Sequence, residues 1–242
     1  MQMTVLGRYG TAPAKDGACS GYYIEYKNKK ILIDCGNGVV SRLQHFCKIE
    51  ELDYIILSHV HFDHMADLHL IKYVLDTKKY YGEEINKIPL FLPKPEQDDE
   101  VYDDNLFDIT YIQDDTIINI DDLTVSFKKM VHLIDSYGVC IESERFKFVY
   151  SGDTGYTDDL VDLAKDADLF LCEGTIVKKR DDIPMNHHLS VEEACRISNL
   201  ANCKRLLLTH LWFESKIEDY IEEAGKYSSN FSLAREMDTY IL

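Results

Sequence analysis

Residues 54–67 read YIILSHVHFDHMAD, and this stretch restricts the fold more than any other. A short apolar run, the pattern of a buried strand, ends in four ligand-type residues, His59, His61, Asp63 and His64. Alternate residues at a strand end point the same way, so His59 and His61 can share one metal ion. Asp63 and His64 fall on the following turn, where the chain can fold back toward a second ion. Imidazole and carboxylate donors suit zinc, and manganese or iron as well. A helix is expected next, over 65–82, because Leu68, Ile71 and Leu75 share one face and Gly82 follows.

Three more residues of this kind each follow an apolar run. His132 closes VSFKKMVH, Asp153 comes just after FVY in YSGDTG, and His210 closes LLLTH. Ligand-type residues at successive strand ends imply one sheet edge where several loops converge. The remaining pattern fits that scaffold. Strands are expected at 3–7, 22–26, 30–36, 52–59 and 88–93, then near 109–113, 116–119 and 123–130. A hairpin is expected at 138–153, with strands at 168–173 and 204–211. Helices are expected at 157–167 behind a Thr157 cap, at 190–202 behind the Ser190/Glu193 capping box, and at 216–227. No Pro/Gly/Ser-rich linker divides the 242 residues, so one α/β domain over 1–242 is expected.

Composition narrows the function classes. The net charge of −17 repels polyanions on average, so any nucleic-acid contact requires a local basic patch. Part of that acidity lies in PEQDDEVYDD (95–104), the pattern of a solvated loop. The seven cysteines form no C-x-x-C pair, which argues against thiolate zinc sites. They read as reduced, mostly core residues of a cytoplasmic protein. No membrane-spanning segment and no secretory signal are expected.

HVHFDH, the isolated His132, SGDTG and the late TH together resemble the metallo-β-lactamase superfamily of hydrolases. The resemblance runs from LIDCG (32–36) to His210. It implies a four-layer αβ/βα sandwich with a dinuclear site, two Zn2+ with Mn2+ or Fe as alternatives. Carried over, His59, His61, His132 and Asp153 would hold one metal. Asp63, His64, Asp153 and His210 would hold the other, with Asp153 bridging. Asp34 matches the family's buried aspartate, which supports a ligand histidine from behind. His at 61 favours hydrolysis over redox chemistry, because the family's diiron oxygen reductases carry Glu there. Asp153 points away from β-lactams, for which the family usually uses Cys or His.

GRYGTAP (7–13), H-x5-G from His132, CEGT (172–175), HHLS (187–190) and LLLTHL narrow the resemblance to ElaC-type ribonuclease Z and its smaller relatives. That group pairs a Glu with a later His near the metals, here Glu173 and His188. His188 would protonate or stabilise the departing oxygen and Glu173 would orient it. His187 reads as a bystander. Residues 133–152 leave no room for the group's tRNA-clamping arm, and HLWFESK replaces its usual Ser/Arg/Tyr ending.

These readings imply a dinuclear metal-dependent phosphodiesterase acting on RNA or a small or cyclic nucleotide. A metal-activated bridging hydroxide would attack, and Asp63 would orient the water or accept its proton. Lys178, Lys179 and Arg180 lie between Glu173 and His188 and could attract an anionic substrate. The alternative enzyme is a thioester or lactone hydrolase similar to glyoxalase II. A non-catalytic metal-binding subunit would show lost ligands, and none is lost. The resemblance also implies a homodimer.

Overall fold

The computed structural model describes residues 1–96, 101–179 and 186–242. The middle of the acidic stretch and Arg180 therefore lie outside the described residues. The chain divides into two compact units, 1–112 with 235–241, and 113–234 with 242.

The first unit is built on a seven-stranded sheet. Its strands are β1 (Gln2–Gly7), β3 (Gly21–Tyr26), β4 (Lys29–Ile33), β5 (Tyr54–Ile56), β6 (Ile88–Leu92), β7 (Phe107–Tyr111) and β16 (Thr239–Ile241). The spatial order is β16-β1-β3-β4-β5-β6-β7, antiparallel from β16 to β4 and parallel from β4 to β7. Helices α1 (Val39–Leu43), α2 (Phe62–Met65) and α3 (Leu68–Tyr80) complete it. Leu68, Ile71 and Leu75, spaced to share one face of α3, join a core with Leu6, Leu32, Ile55 and Leu90. Each such fully buried aliphatic side chain contributes roughly 1.5–3 kcal/mol. The expected helix at 65–82 is thus two helices, α2 and α3, meeting near Asp67. Asp67 is buried and accepts from the Val40 N–H at 2.8 Å, so it serves the N-terminus of α1. Burial raises its carboxyl above the ordinary range.

The second unit carries another seven-stranded sheet. Its strands are β8 (Ile117–Ile120), β9 (Leu123–Lys129), β10 (Tyr137–Glu142), β11 (Lys147–Tyr150), β12 (Leu169–Glu173), β13 (Leu206–Thr209) and β15 (Phe231–Leu233). The order is β15-β13-β12-β11-β10-β9-β8, antiparallel from β8 to β11 and parallel from β11 to β15. The parallel strands LFLCE and LLLT are buried throughout, which explains their unbroken apolar runs. The two-residue strands β2 (Tyr9–Gly10) and β14 (Leu211–Trp212) lie outside these sheets.

Helices α4 (Asp158–Ala164), α5 (Val191–Leu200) and α6 (Ile217–Ala224) belong to the second unit. Helix α4 packs on β9 and β10, α5 packs on β12 and β13, and α6 packs on α5. Thr157 caps α4, and Ser190 and Glu193 form the expected capping box of α5. Ser190→Ala is expected to lower stability by about 1 kcal/mol, read as a lower urea midpoint with an unchanged m-value. An unchanged midpoint would refute that share of the cap. No helix among the described residues is long and apolar enough to cross a membrane.

Candidate metal centre

In the first unit, β5 ends at Ile56 and the chain leaves the sheet as Leu57–Ser58–His59, all buried. His61 then sits at the N-cap of α2, whose first turns carry Asp63 and His64. Gly36 makes this turn fit, because a Cβ there would lie 2.0 Å from the Asp63 carbonyl oxygen. His59 Nε2 and His61 Nδ1 face each other at 3.1 Å, and the His59 and His64 rings have centroids 4.0 Å apart. His64 Nε2 lies 3.7 Å from Asp63 Oδ2. Asp63 also accepts from the backbone N–H of Thr11, a partner that sequence reasoning did not identify.

Asp34 organises this cluster from below. It is fully buried and accepts from Ser58 N at 2.8 Å, Ser58 Oγ at 2.9 Å and His64 Nδ1 at 2.8 Å. The contact identifies the histidine it supports as His64, and turns that ring's buried Nε2 away from Asp34.

In the second unit, β9 ends at Lys129, so His132 lies on the loop beyond the strand and does not close it. The reason is local: the Met130 N–H donates to Ser136 O, which closes a loop and takes 131–136 out of the ladder. Asp153 follows β11 and His210 follows β13. Three imidazole nitrogens surround Asp153 Oδ2: His210 Nε2 at 3.2 Å, His188 Nδ1 at 3.9 Å and His132 Nε2 at 4.0 Å. Asp153 is only 2% exposed. Isolated burial of a carboxylate is costly, and a cation held among these imidazole nitrogens would offset that cost. His132 Nδ1 donates to the His187 carbonyl at 2.9 Å, leaving Nε2 toward Asp153. His187 thus contributes its backbone, and burial lowers its own imidazole pKa.

Glu173, at the end of β12, is fully buried among donors. Its Oε1 accepts from Thr154 N at 2.7 Å and His188 Nδ1 at 3.0 Å. Its Oε2 accepts from Thr175 Oγ1 at 2.7 Å and Leu189 N at 3.1 Å. The expected Glu173–His188 pair is therefore in direct contact. Lys179 is engaged elsewhere, on Glu193 at 2.5 Å. Among the described residues of the basic triplet only Lys178 and Lys179 can be placed, and both are exposed.

The donor set fits divalent cations. Asp153, His132 and His188 offer ligand atoms within 4.8 Å of one another, as do Glu173, His188 and His210. In five of the rings Nδ1 meets an oxygen of the protein, so Nε2 is the nitrogen available to a metal in His59, His64, His132 and His210. The cysteines take no comparable place. All seven are free thiols, and burial together with the Asp63 charge pushes Cys19 up to about 12.

Comparison with known proteins supplies the family. Residues 29–211 match the beta-lactamase superfamily domain. The chain is 33% identical over 214 residues to YhfI of Bacillus subtilis, described as a probable metallo-hydrolase, covering 87% of each chain. It superposes on the crystal structure of YhfI, a metallo-beta-lactamase fold protein, with a TM-score of 0.90, 28% identity and 99% of each chain covered. It is 25% identical to the ribonuclease Z of Clostridioides difficile, over 98% of this chain and 96% of that one. The short form of human tRNase Z shares the fold at a TM-score of 0.70 and 19% identity, over 100% and 99% of the two chains. The protein therefore belongs to the beta-lactamase superfamily, a family of metal-dependent hydrolases, and has its α/β metallo-β-lactamase fold.

Proposed function

We propose that this protein is a dinuclear metal-dependent phosphodiesterase, with RNA or a small or cyclic nucleotide as substrate. The observation that carries the proposal is the Glu173–His188 contact at 3.0 Å, with His188 3.9 Å from Asp153. Relatives named ribonuclease Z support the phosphodiester class.

When bound, two divalent cations supply an acidified water and neutralise charge on phosphoryl oxygens. The chain's own residues do the rest. Glu173 holds the His188 ring by Nδ1–H, so that Nε2 carries the proton for the leaving oxygen. Glu173 stays in place because four other donors of the second unit share its two oxygens. Asp63, kept in one orientation by Thr11 N–H, orients the attacking water.

The test compares turnover of bis-p-nitrophenyl phosphate, 2′,3′-cyclic nucleotides, a precursor tRNA and S-lactoylglutathione by metal-reconstituted protein. Thioester turnover without phosphodiester turnover would sink the proposal in favour of a glyoxalase II-like activity. His188→Ala is expected to keep its metals and lose about 10²–10⁴-fold in phosphodiester kcat. Activity unchanged in that variant refutes the role of His188.

A further inference from the structure

The two clusters share one pattern of connection. In the first unit a buried carboxylate, Asp34, receives one histidine directly, from His64 Nδ1 at 2.8 Å. The same Asp34 oxygen accepts from Ser58 Oγ at 2.9 Å, and Ser58 Oγ lies 3.1 Å from Nδ1 of a second histidine, His59. In the second unit a buried carboxylate, Glu173, receives His188 Nδ1 directly at 3.0 Å. Its other oxygen accepts from Thr175 Oγ1 at 2.7 Å, and Thr175 Oγ1 lies 2.7 Å from Nδ1 of a second histidine, His210.

A hydroxyl has one proton to give and two lone pairs to receive. A carboxylate only accepts, so the Ser58 proton goes to Asp34, and the Thr175 proton goes to Glu173 at 2.7 Å in preference to the neutral His210 carbonyl at 3.1 Å. The facing ring nitrogens must then donate. His59 and His210 are thereby held as Nδ1–H tautomers, with Nε2 as the lone-pair nitrogen. In His210 that nitrogen is the atom 3.2 Å from Asp153 Oδ2.

We infer that Ser58 and Thr175 are positioning residues, each passing the charge of one buried carboxylate to a second histidine and so fixing that ring as a metal ligand. Thr175 is itself anchored. Its carbonyl accepts from Tyr220 Oη at 3.1 Å, and Tyr220 Oη accepts from Trp212 N at 2.8 Å. All three side chains, Thr175, Glu173 and His210, are buried, so water does not readily replace the hydroxyl. One carboxylate thus orients two histidines in each unit. In the second unit those two are the proposed proton donor, His188, and the proposed ligand, His210. The inference rests on the metal-dependent reading above.

The test is a zinc titration of the full chain against a chromogenic chelator, without substrate. Thr175→Val and Ser58→Ala are expected to bind zinc about 10–100-fold more weakly than the wild type. Thr175→Ser, which keeps the hydroxyl, is expected to retain wild-type affinity. Long-range ¹H–¹⁵N spectra of the zinc-loaded wild type should show His59 and His210 protonated at Nδ1. If Thr175→Val does not fold, Thr175→Ala removes the same hydroxyl without branching and takes its place. Wild-type zinc affinity in the hydroxyl-free variants overturns the inference. So does a serine variant as weak as valine, or metal on Nδ1 of His210. Because zinc binding is read without substrate, a wild type that binds zinc but turns over no phosphodiester overturns the proposed function alone.

Discussion

In Asp153→Asn, the proposed phosphodiester turnover is expected to fall by at least about 10³-fold, and the dialysed protein is expected to retain fewer divalent ions than the wild type. The side chain keeps its size but loses the charge that three imidazole nitrogens face within 4.0 Å. A neutral amide offers one oxygen, and its NH₂ group would be turned toward lone-pair nitrogens. Losing several kcal/mol of metal-dependent transition-state stabilisation corresponds to that factor at about 1.4 kcal/mol per tenfold. Atomic emission after dialysis and kcat on bis-p-nitrophenyl phosphate read the two effects separately. Full metal content with activity within tenfold of wild type would remove Asp153 from the centre.

Gly36→Ala is the second large effect, and it is steric. Its φ lies outside the left-handed region, so any penalty comes from crowding. The added Cβ would meet the Asp63 carbonyl oxygen at 2.0 Å and Cys19 Cβ at 2.6 Å. Backbone cannot yield as a side-chain tip would, so the turn carrying Asp63 and His64 must move. The expected cost is about 3 kcal/mol, at the upper end for overpacking, read from urea unfolding of metal-free protein. Metal binding should fall with it, because Cys35 N and Asp67 N are tied across the same turn to His64 O and Cys35 O. Gly82→Ala is the control. Nothing lies within 4 Å there, and only its φ of 87° opposes a side chain, a cost of about 1 kcal/mol. Equal losses in the two variants would refute the steric account of Gly36.

The candidate ligands were legible in the sequence because metal chemistry restricts residue type. Few patterns put His59, His61, Asp63 and His64 behind one apolar strand for another reason. The elements around them were legible too, since β12 and β13 are buried along their length and the α5 capping box satisfies backbone groups locally. The end of β9 was harder to see. MVH continues the apolar run of VSFKK, and the Met130–Ser136 bond that closes the loop does not show in the apolar pattern.

What the sequence by itself determined is the set of chemical groups: seven candidate ligand residues and, through a family resemblance, the Glu173/His188 pair and Asp34. What the tertiary structure decided is which atom of each group faces which. Serine and threonine occur everywhere in proteins, so nothing in the letters marks Ser58 or Thr175; their meaning lies in where one hydroxyl proton must go. Lys179 shows the same limit from the other side, a cation whose charge is directed to Glu193 at 2.5 Å. A residue type is written in the chain, whereas the direction of a hydrogen bond is settled only when donor and acceptor, distant in sequence, are buried together and each must be satisfied.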